Sequence, residues 1–224
     1  MNSPEERLTA STPSGDVSAA YLRPAKAWAS IVIAHGAGAG MDHPFLVGFA
    51  RAIAGEGVAA LRVNFPYMEA GRRSPDRPAV AVAALVAAFQ IAEDRAKPRE
   101  PIWMSGKSFG GRMASVAVSE GLPAAGLVFL GYPLHPPGKP ERVRDEHLYT
   151  IEVPMLFLQG TNDPFATSAV LNPVLKRLGK RATLHAIEGG GHSFEVRGAK
   201  RDARETGASL ASIAAAFMRE HAGH

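Results

Sequence analysis

The order of apolar runs predicts an α/β chain: a doubly wound, mostly parallel sheet of about eight strands opened by an antiparallel hairpin. Two observations carry this. Five short apolar runs are continuous rather than alternating, the pattern of parallel strands covered on both faces. Between them lie apolar stripes at i, i+3, i+4 and i+7, the spacing of amphipathic helices.

Taken in order, Pro13-Ser14-Gly15-Asp16 is a turn signal, and residues 17–22 form the second arm of the hairpin. The continuous strands are 31–34, 58–63, 102–104, 127–130 and 155–158. Residues 182–187 alternate more and belong at an edge. Leu46, Phe49, Ala50 and Ile53 make one helical stripe, and Val82, Leu85, Val86 and Phe89 a second. Leu171, Val174, Leu175 and Leu178 make a third, where Pro173 predicts a kink or a late start. Leu210, Ile213, Ala214 and Phe217 close the chain. Each stripe reads as a core face. With no repeat and no linker, 1–224 reads as one domain, long enough to bury about 70% of its unfolded surface.

Composition narrows the function. An apolar fraction of 46% and a charged fraction of 21% fit a globular chain. No apolar run has membrane-span length, and the polar residues 1–12 lack the apolar centre of a signal peptide, so a cytoplasmic location is expected. The absence of cysteine excludes disulfides, zinc–thiolate sites and a thiol nucleophile. Net charge is +4. Lys176-Arg177, Lys180-Arg181 and Lys200-Arg201 sit near helix ends, where cations complement the dipole. No aromatic residues interleave with them as a stacking platform requires. A solvated basic surface is expected, without nucleic-acid or membrane partners, on a monomer or homodimer. Arg72 and Arg73, just after a strand, leave anionic substrates open.

The most informative segment is Gly106-Lys107-Ser108-Phe109-Gly110, between an apolar strand and a helical pattern. This is the strand–turn–helix setting in which G-x-S-x-G holds a serine hydroxyl at the tip of a tight turn. Side chains at Gly106 and Gly110 would collide with the neighbouring strand and helix. The rival phosphate-loop pattern needs glycine at 101, where Pro101 opens a strand. In open α/β sheets chemistry gathers at the carboxyl ends of strands. Three further features fall there: His35-Gly36-Ala37-Gly38, Asp163 in Gln159-Gly160-Thr161-Asn162-Asp163-Pro164, and His192 after Gly189-Gly190-Gly191.

The chain order Ser108, Asp163, His192 suits acyl transfer. A serine hydroxyl needs a base as it attacks, and imidazole titrates near working pH and can pass the proton on. The aspartate fixes the imidazole tautomer. The backbone N–H groups of Ala37 and Phe109 are the expected oxyanion donors. Before Pro164, Asp163 also fits a helix cap, with Asp145 and Glu146 as fallback acids. His35 reads as a loop anchor. His135 and His147 line a pocket or pack. Phe65, Tyr67, Tyr132 and His135 are assigned to substrate binding from position. Gly36-Ala37-Gly38-Ala39-Gly40 fails as a dinucleotide loop, with Met41 where glycine is needed and Asn64 closing the next strand. No set of ligands has metal spacing, so neither cofactor nor metal is expected.

With these residues in place the chain resembles α/β-hydrolases of the small, dienelactone-hydrolase-like kind over nearly its whole length, which implies that fold and a serine esterase. Ala34-His35-Gly36-Ala37-Gly38, Gly106 to Arg112, Gln159 to Asp163 and, most specifically, Tyr132-Pro133-Leu134-His135-Pro136-Pro137-Gly138 are similar to a branch of that superfamily. That branch holds a testis-expressed protein and a subunit of the NSL histone-acetyltransferase complex. Dienelactone hydrolases proper use cysteine, so their lactone substrate does not carry over. Residues 132–153, with four prolines, are too short and broken for a large lid. The expected activity is hydrolysis of a small soluble ester or thioester through an acyl-enzyme. The alternative is a non-catalytic protein-interaction module on the same scaffold.

Overall fold

The computed structural model describes residues 4–199 and 201–222. One eight-stranded sheet runs through them in the order β1-β2-β4-β3-β5-β6-β7-β8. β1 (Glu6–Thr12) and β2 (Gly15–Leu22) form the antiparallel hairpin, and β2 also runs antiparallel to β4 (Val58–Val63). From there β3 (Ala29–Ala34), β5 (Ile102–Lys107), β6 (Leu127–Leu130), β7 (Met155–Gly160) and β8 (Ala182–Ile187) are parallel. β3, β4 and β6 are buried at every residue, as continuous apolar runs require of strands covered on both faces. β8 is the edge its alternation predicts.

Helices pack on both faces and make two cores. On one side α1 (Pro44–Gly55) and α7 (Ala211–His221) cover Ile31, Ile33, Trp103 and Leu158. On the other, α3 (Pro78–Arg95), α4 (Phe109–Ser119) and α5 (Ser168–Leu178) cover Val32, Met104, Phe129 and Phe157. A short α2 (Pro66–Glu69) follows β4.

Three details depart from the sequence reading. α3 buries Val82, Leu85 and Phe89 of the predicted stripe, but its core face continues through the alanines Ala81, Ala84, Ala88 and Ala92, and Val86 is left 46% exposed. α5 does not start late: it begins at Ser168 and runs through Pro173, which stands on the exposed face, where water can take the carbonyl that proline leaves unpaired. A further helix, α6 (Ala203–Ala208), crosses α1 with Gly207 against the Phe45 carbonyl and Gly48 against that of Arg204. A Cβ on either glycine would lie about 2 Å from carbonyl oxygen, so this contact exists only because both side chains are missing.

Of the basic clusters, Lys176 and Lys180 are exposed, and Lys200 lies outside the described residues. Arg177 and Arg181 do more than face water. Arg177 stacks 3.7 Å above the Tyr149 ring, and Arg181 donates to the carbonyls of Tyr149 and Ile151 at 3.2 and 2.7 Å. Among the described residues no helix is long and apolar enough to cross a membrane.

Candidate active site

β5 ends and α4 begins at Ser108, whose φ of 50° and ψ of −115° lie outside the regions that L-residues favour. The neighbouring glycines allow it. A Cβ on Gly106 would stand 2.4 Å from the backbone of Gly110 and Gly111, and one on Gly110 2.6 Å from the carbonyls of Ala34 and His35. Side chains at either place would drive β5, α4 and β3 apart. The turn therefore projects the hydroxyl away from the sheet.

Two loops from later strands meet it. His192 Nε2 lies 2.8 Å from Ser108 Oγ, and His192 Nδ1 lies 2.7 Å from Asp163 Oδ2. The imidazole side chain is 20% exposed and the carboxylate side chain is fully buried. Asp163 also accepts the Phe165 N–H at 2.8 Å and the Gln159 amide. With Nδ1–H donated to Asp163, Nε2 has a free lone pair aimed at the hydroxyl. The Phe165 ring packs 4.5 Å from the imidazole, centroid to centroid.

The same frame holds two residues that the sequence did not single out. Gln159 presents its amide to Asp163 while its carbonyl accepts the Tyr132 N–H at 2.8 Å, so it ties the ends of β6 and β7 together. It stands four residues before Asp163, and that spacing was the available signal. Lys107 Nζ donates to the His192 carbonyl at 2.8 Å, which fixes the loop from beneath. Burial pulls this ammonium down to about 8, against the opposing pull of Asp163 and Glu195. The lysine that made Gly106-Lys107-Ser108 look like a phosphate loop is thus engaged by a backbone carbonyl.

Neither the Ala37 nor the Phe109 N–H donates to another described residue, and both residues line the cavity beside Ser108. His35 is fully buried behind them. Its Nδ1 bonds the Gly36 carbonyl at 2.8 Å, and its Nε2 accepts the Phe65 N–H at 3.0 Å. Burial pushes it down to about 4, so it stays neutral. Asp145 accepts the Tyr149 hydroxyl and has no contact with His192, nor has Glu146. His147 packs, with Nε2 at 2.8 Å from Ser115 Oγ and 3.1 Å from the Tyr132 hydroxyl.

The cavity has a volume of about 910 Å³. His135 lines it, but Phe65, Tyr67 and Tyr132 do not; all three are fully buried. Phe65 and Tyr67 pack on His35 beneath the loop, and Tyr132 packs between Phe129 and Phe157. They form the floor under the site rather than its wall. The wall comes instead from Phe45, Leu46, Pro133, Pro136, Pro137 and Phe165.

Residues 27–221 match the profile of the family described as the alpha/beta hydrolase domain. The chain belongs to that family. Among solved structures this chain is similar to an alpha-beta serine hydrolase homologue from Coxiella burnetii, at 18% identity and a TM-score of 0.75, covering 95% of this chain and 97% of the other. It is also similar to a serine hydrolase without lid from Xanthomonas campestris, at 19% and 0.77, covering 98% and 96%. A dienelactone hydrolase from Anabaena variabilis matches at 20% and 0.76, covering 99% of both chains. At such identities the likeness concerns the fold. Like the Xanthomonas protein, this α/β hydrolase has no lid: between β6 and β7 it carries only a loop with a 3-10 turn at Glu146–Thr150.

Proposed function

We propose that the protein is a serine hydrolase that cleaves small soluble esters or thioesters through an acyl-enzyme on Ser108. The observation that carries this is the unbroken line from Asp163 through His192 to Ser108, at 2.7 and 2.8 Å, on a turn strained at the hydroxyl-bearing residue. Strain of this kind costs on the order of 1–3 kcal/mol, and a purely structural serine gives no reason for it.

In the first half-reaction His192 Nε2 takes the Oγ proton as the oxygen attacks the substrate carbonyl. The negative charge on the carbonyl oxygen is met by the N–H groups of Ala37 and Phe109, each worth about 3 kcal/mol in the transition state. Asp163 steadies the imidazolium, which then passes the proton to the leaving group. A water activated by the same imidazole releases the acyl group. The cavity has no large lid, which suits a dissolved substrate better than a lipid aggregate. The reading takes 1–224 as one domain, acting in the cytoplasm. The reading also takes the chain as a relative of the branch with the testis-expressed protein and the NSL-complex subunit, supported by the likeness of the 132–138 string.

A fluorophosphonate probe tests the assignment. Labelling of the wild type at Ser108 and none in Ser108→Ala is expected, together with esterase turnover lowered on the order of a millionfold. An unlabelled wild type inert to p-nitrophenyl esters of every chain length would leave the interaction module as the surviving alternative.

A further inference from the structure

Five arginines among the described residues are withdrawn from solvent in part or whole: Arg23, Arg62, Arg95, Arg112 and Arg181. Four have partners. Arg23 forks onto Glu100 at 2.9 and 2.6 Å, Arg62 holds Glu5 and Asp42 at 2.6 and 3.0 Å, and Arg95 reaches Glu6 at 3.5 Å. Arg181 caps the two carbonyls already described. Arg112 differs: its guanidinium makes no ion pair or hydrogen bond with a described residue, and its Nε is sealed from solvent without a partner. A buried cation is stabilised by a counter-charge. Here burial and the like charge of Arg144 instead pull Arg112 down from its ordinary value, with Tyr132 pulling the other way.

Position suggests what is missing. Arg112 stands in the first turn of α4, its N–H bonded to the Ser108 carbonyl at 3.1 Å, so the helix start fixes it close to the serine. Both line the cavity with His192. Arg144 lines it too, from the loop between β6 and β7, and its N–H is held by the Leu134 carbonyl at 2.7 Å. The other charges in the wall are already answered: Asp76 by Arg72 and the Tyr67 N–H at 2.6 and 2.8 Å, Lys107 by the His192 carbonyl. What remains facing an incoming ester is a pair of unpaired arginines. The sequence had pointed to Arg72 and Arg73, but Arg72 is bound to Asp76, and Arg73 is not in the wall.

We propose that Arg112 and Arg144 seat an anionic group of the substrate, so that the ester or thioester carries a carboxylate or phosphate a few bonds from the carbonyl that Ser108 attacks. The guanidinium fork matches both oxyanions. A neutral ester leaves the half-buried Arg112 unanswered, while Arg144, exposed at the rim, can turn to the same group. This rests on the hydrolase reading for the attack at Ser108, though not for the seat itself.

The test compares mono-p-nitrophenyl adipate with its methyl ester, which removes the charge at the far end at the cost of one added methyl group, with p-nitrophenolate release as the readout. The wild type is expected to favour the anionic substrate at least tenfold in kcat/KM, and 0.5 M salt to narrow the ratio. Arg112→Gln should cut the ratio at least tenfold, Arg144→Gln less, and Arg112→Lys should retain part of it. A ratio near one, or one unmoved by Arg112→Gln in protein of wild-type circular dichroism, overturns the proposal. Inhibition by free adipate against inorganic phosphate at constant ionic strength tells the two oxyanions apart; inhibition by neither overturns it as well. If the wild type cleaves no ester, calorimetry with adipate and with phosphate on Ser108→Ala still decides the matter. Binding of either that is lost on adding Arg112→Gln upholds the seat while the hydrolase reading fails, and no binding of either overturns the seat.

Discussion

His35 and His192 are placed alike and partnered differently. Each follows a parallel strand and stands next to a glycine-rich loop beside Ser108. His35 has backbone on both nitrogens: a carbonyl at Nδ1 and an N–H at Nε2. His192 has a carboxylate at Nδ1 and a hydroxyl at Nε2. Backbone partners freeze one tautomer and leave a proton nowhere to go. Side-chain partners that themselves can gain or lose protons suit the second ring to the proposed relay. What imidazole does here is decided by its neighbours and not by its position at a strand end.

The largest effect should come from breaking the relay. His192→Ala is expected to lower kcat on p-nitrophenyl esters about as far as Ser108→Ala does, and the double variant little further, because groups that act as a unit are not additive. Kinetics on the two single variants and the double checks this; losses that multiply would mean that the two groups act separately. Asp163→Asn comes next. It leaves the shape but favours the wrong tautomer, and a loss of about 10⁴-fold in kcat is expected.

His35 tests the other half of the comparison, through stability. His35→Ala leaves the Phe65 N–H buried without an acceptor and empties a packed site, at a cost of about 3 kcal/mol by urea unfolding. The neutral form also carries a pH signature. Its folded pKa of about 4 lies below the unfolded value near 6.5, so the unfolded chain binds the extra proton between them. Stability conferred by neutral His35 is complete above 6.5 and drains away as pH falls toward 4, by about 2 kcal/mol at pH 5. His147, also pushed down to about 4 by burial, adds in the same direction. Unfolding midpoints at pH 7 and 5 should converge between wild type and His35→Ala; parallel behaviour would mean that His35 titrates normally.

The meeting of Ser108, Asp163 and His192 was legible because each follows the end of a strand, where the reason for a polar residue is local. The fold was legible for the same reason: β4, β6 and β8 lie where the apolar runs put them. β5 runs three residues beyond its apolar run, through Ser105, Gly106 and Lys107, because the strand must reach the turn that holds Ser108. The cavity wall was not legible. Whether an aromatic residue after a strand faces the cavity or the core depends on which loop lies above it, and Phe65, Tyr67 and Tyr132 were all covered. α6 escaped because its helix is six residues long and meets α1 through a glycine, leaving no stripe to read.

Lys107 sharpens the comparison from the side, with the smallest effect. It holds the His192 loop through a carbonyl, so Lys107→Met should loosen the imidazole without removing it, and a fall in kcat of about tenfold is expected, as for a modest misplacement of a reacting group. Its titration supplies the independent readout. The folded value of about 8 lies below the unfolded value near 10.4, so the unfolded chain binds more protons between those values. Burying the charged amine costs stability in full below pH 8, and that cost is relieved as pH rises toward 10.4. Asp163 and Glu195, which face the ammonium, moderate the shift without reversing it. Thermal unfolding of the wild type should therefore lose less between pH 8 and 10 than that of Lys107→Met. Identical slopes would place the ammonium in water and detach it from the loop that carries His192.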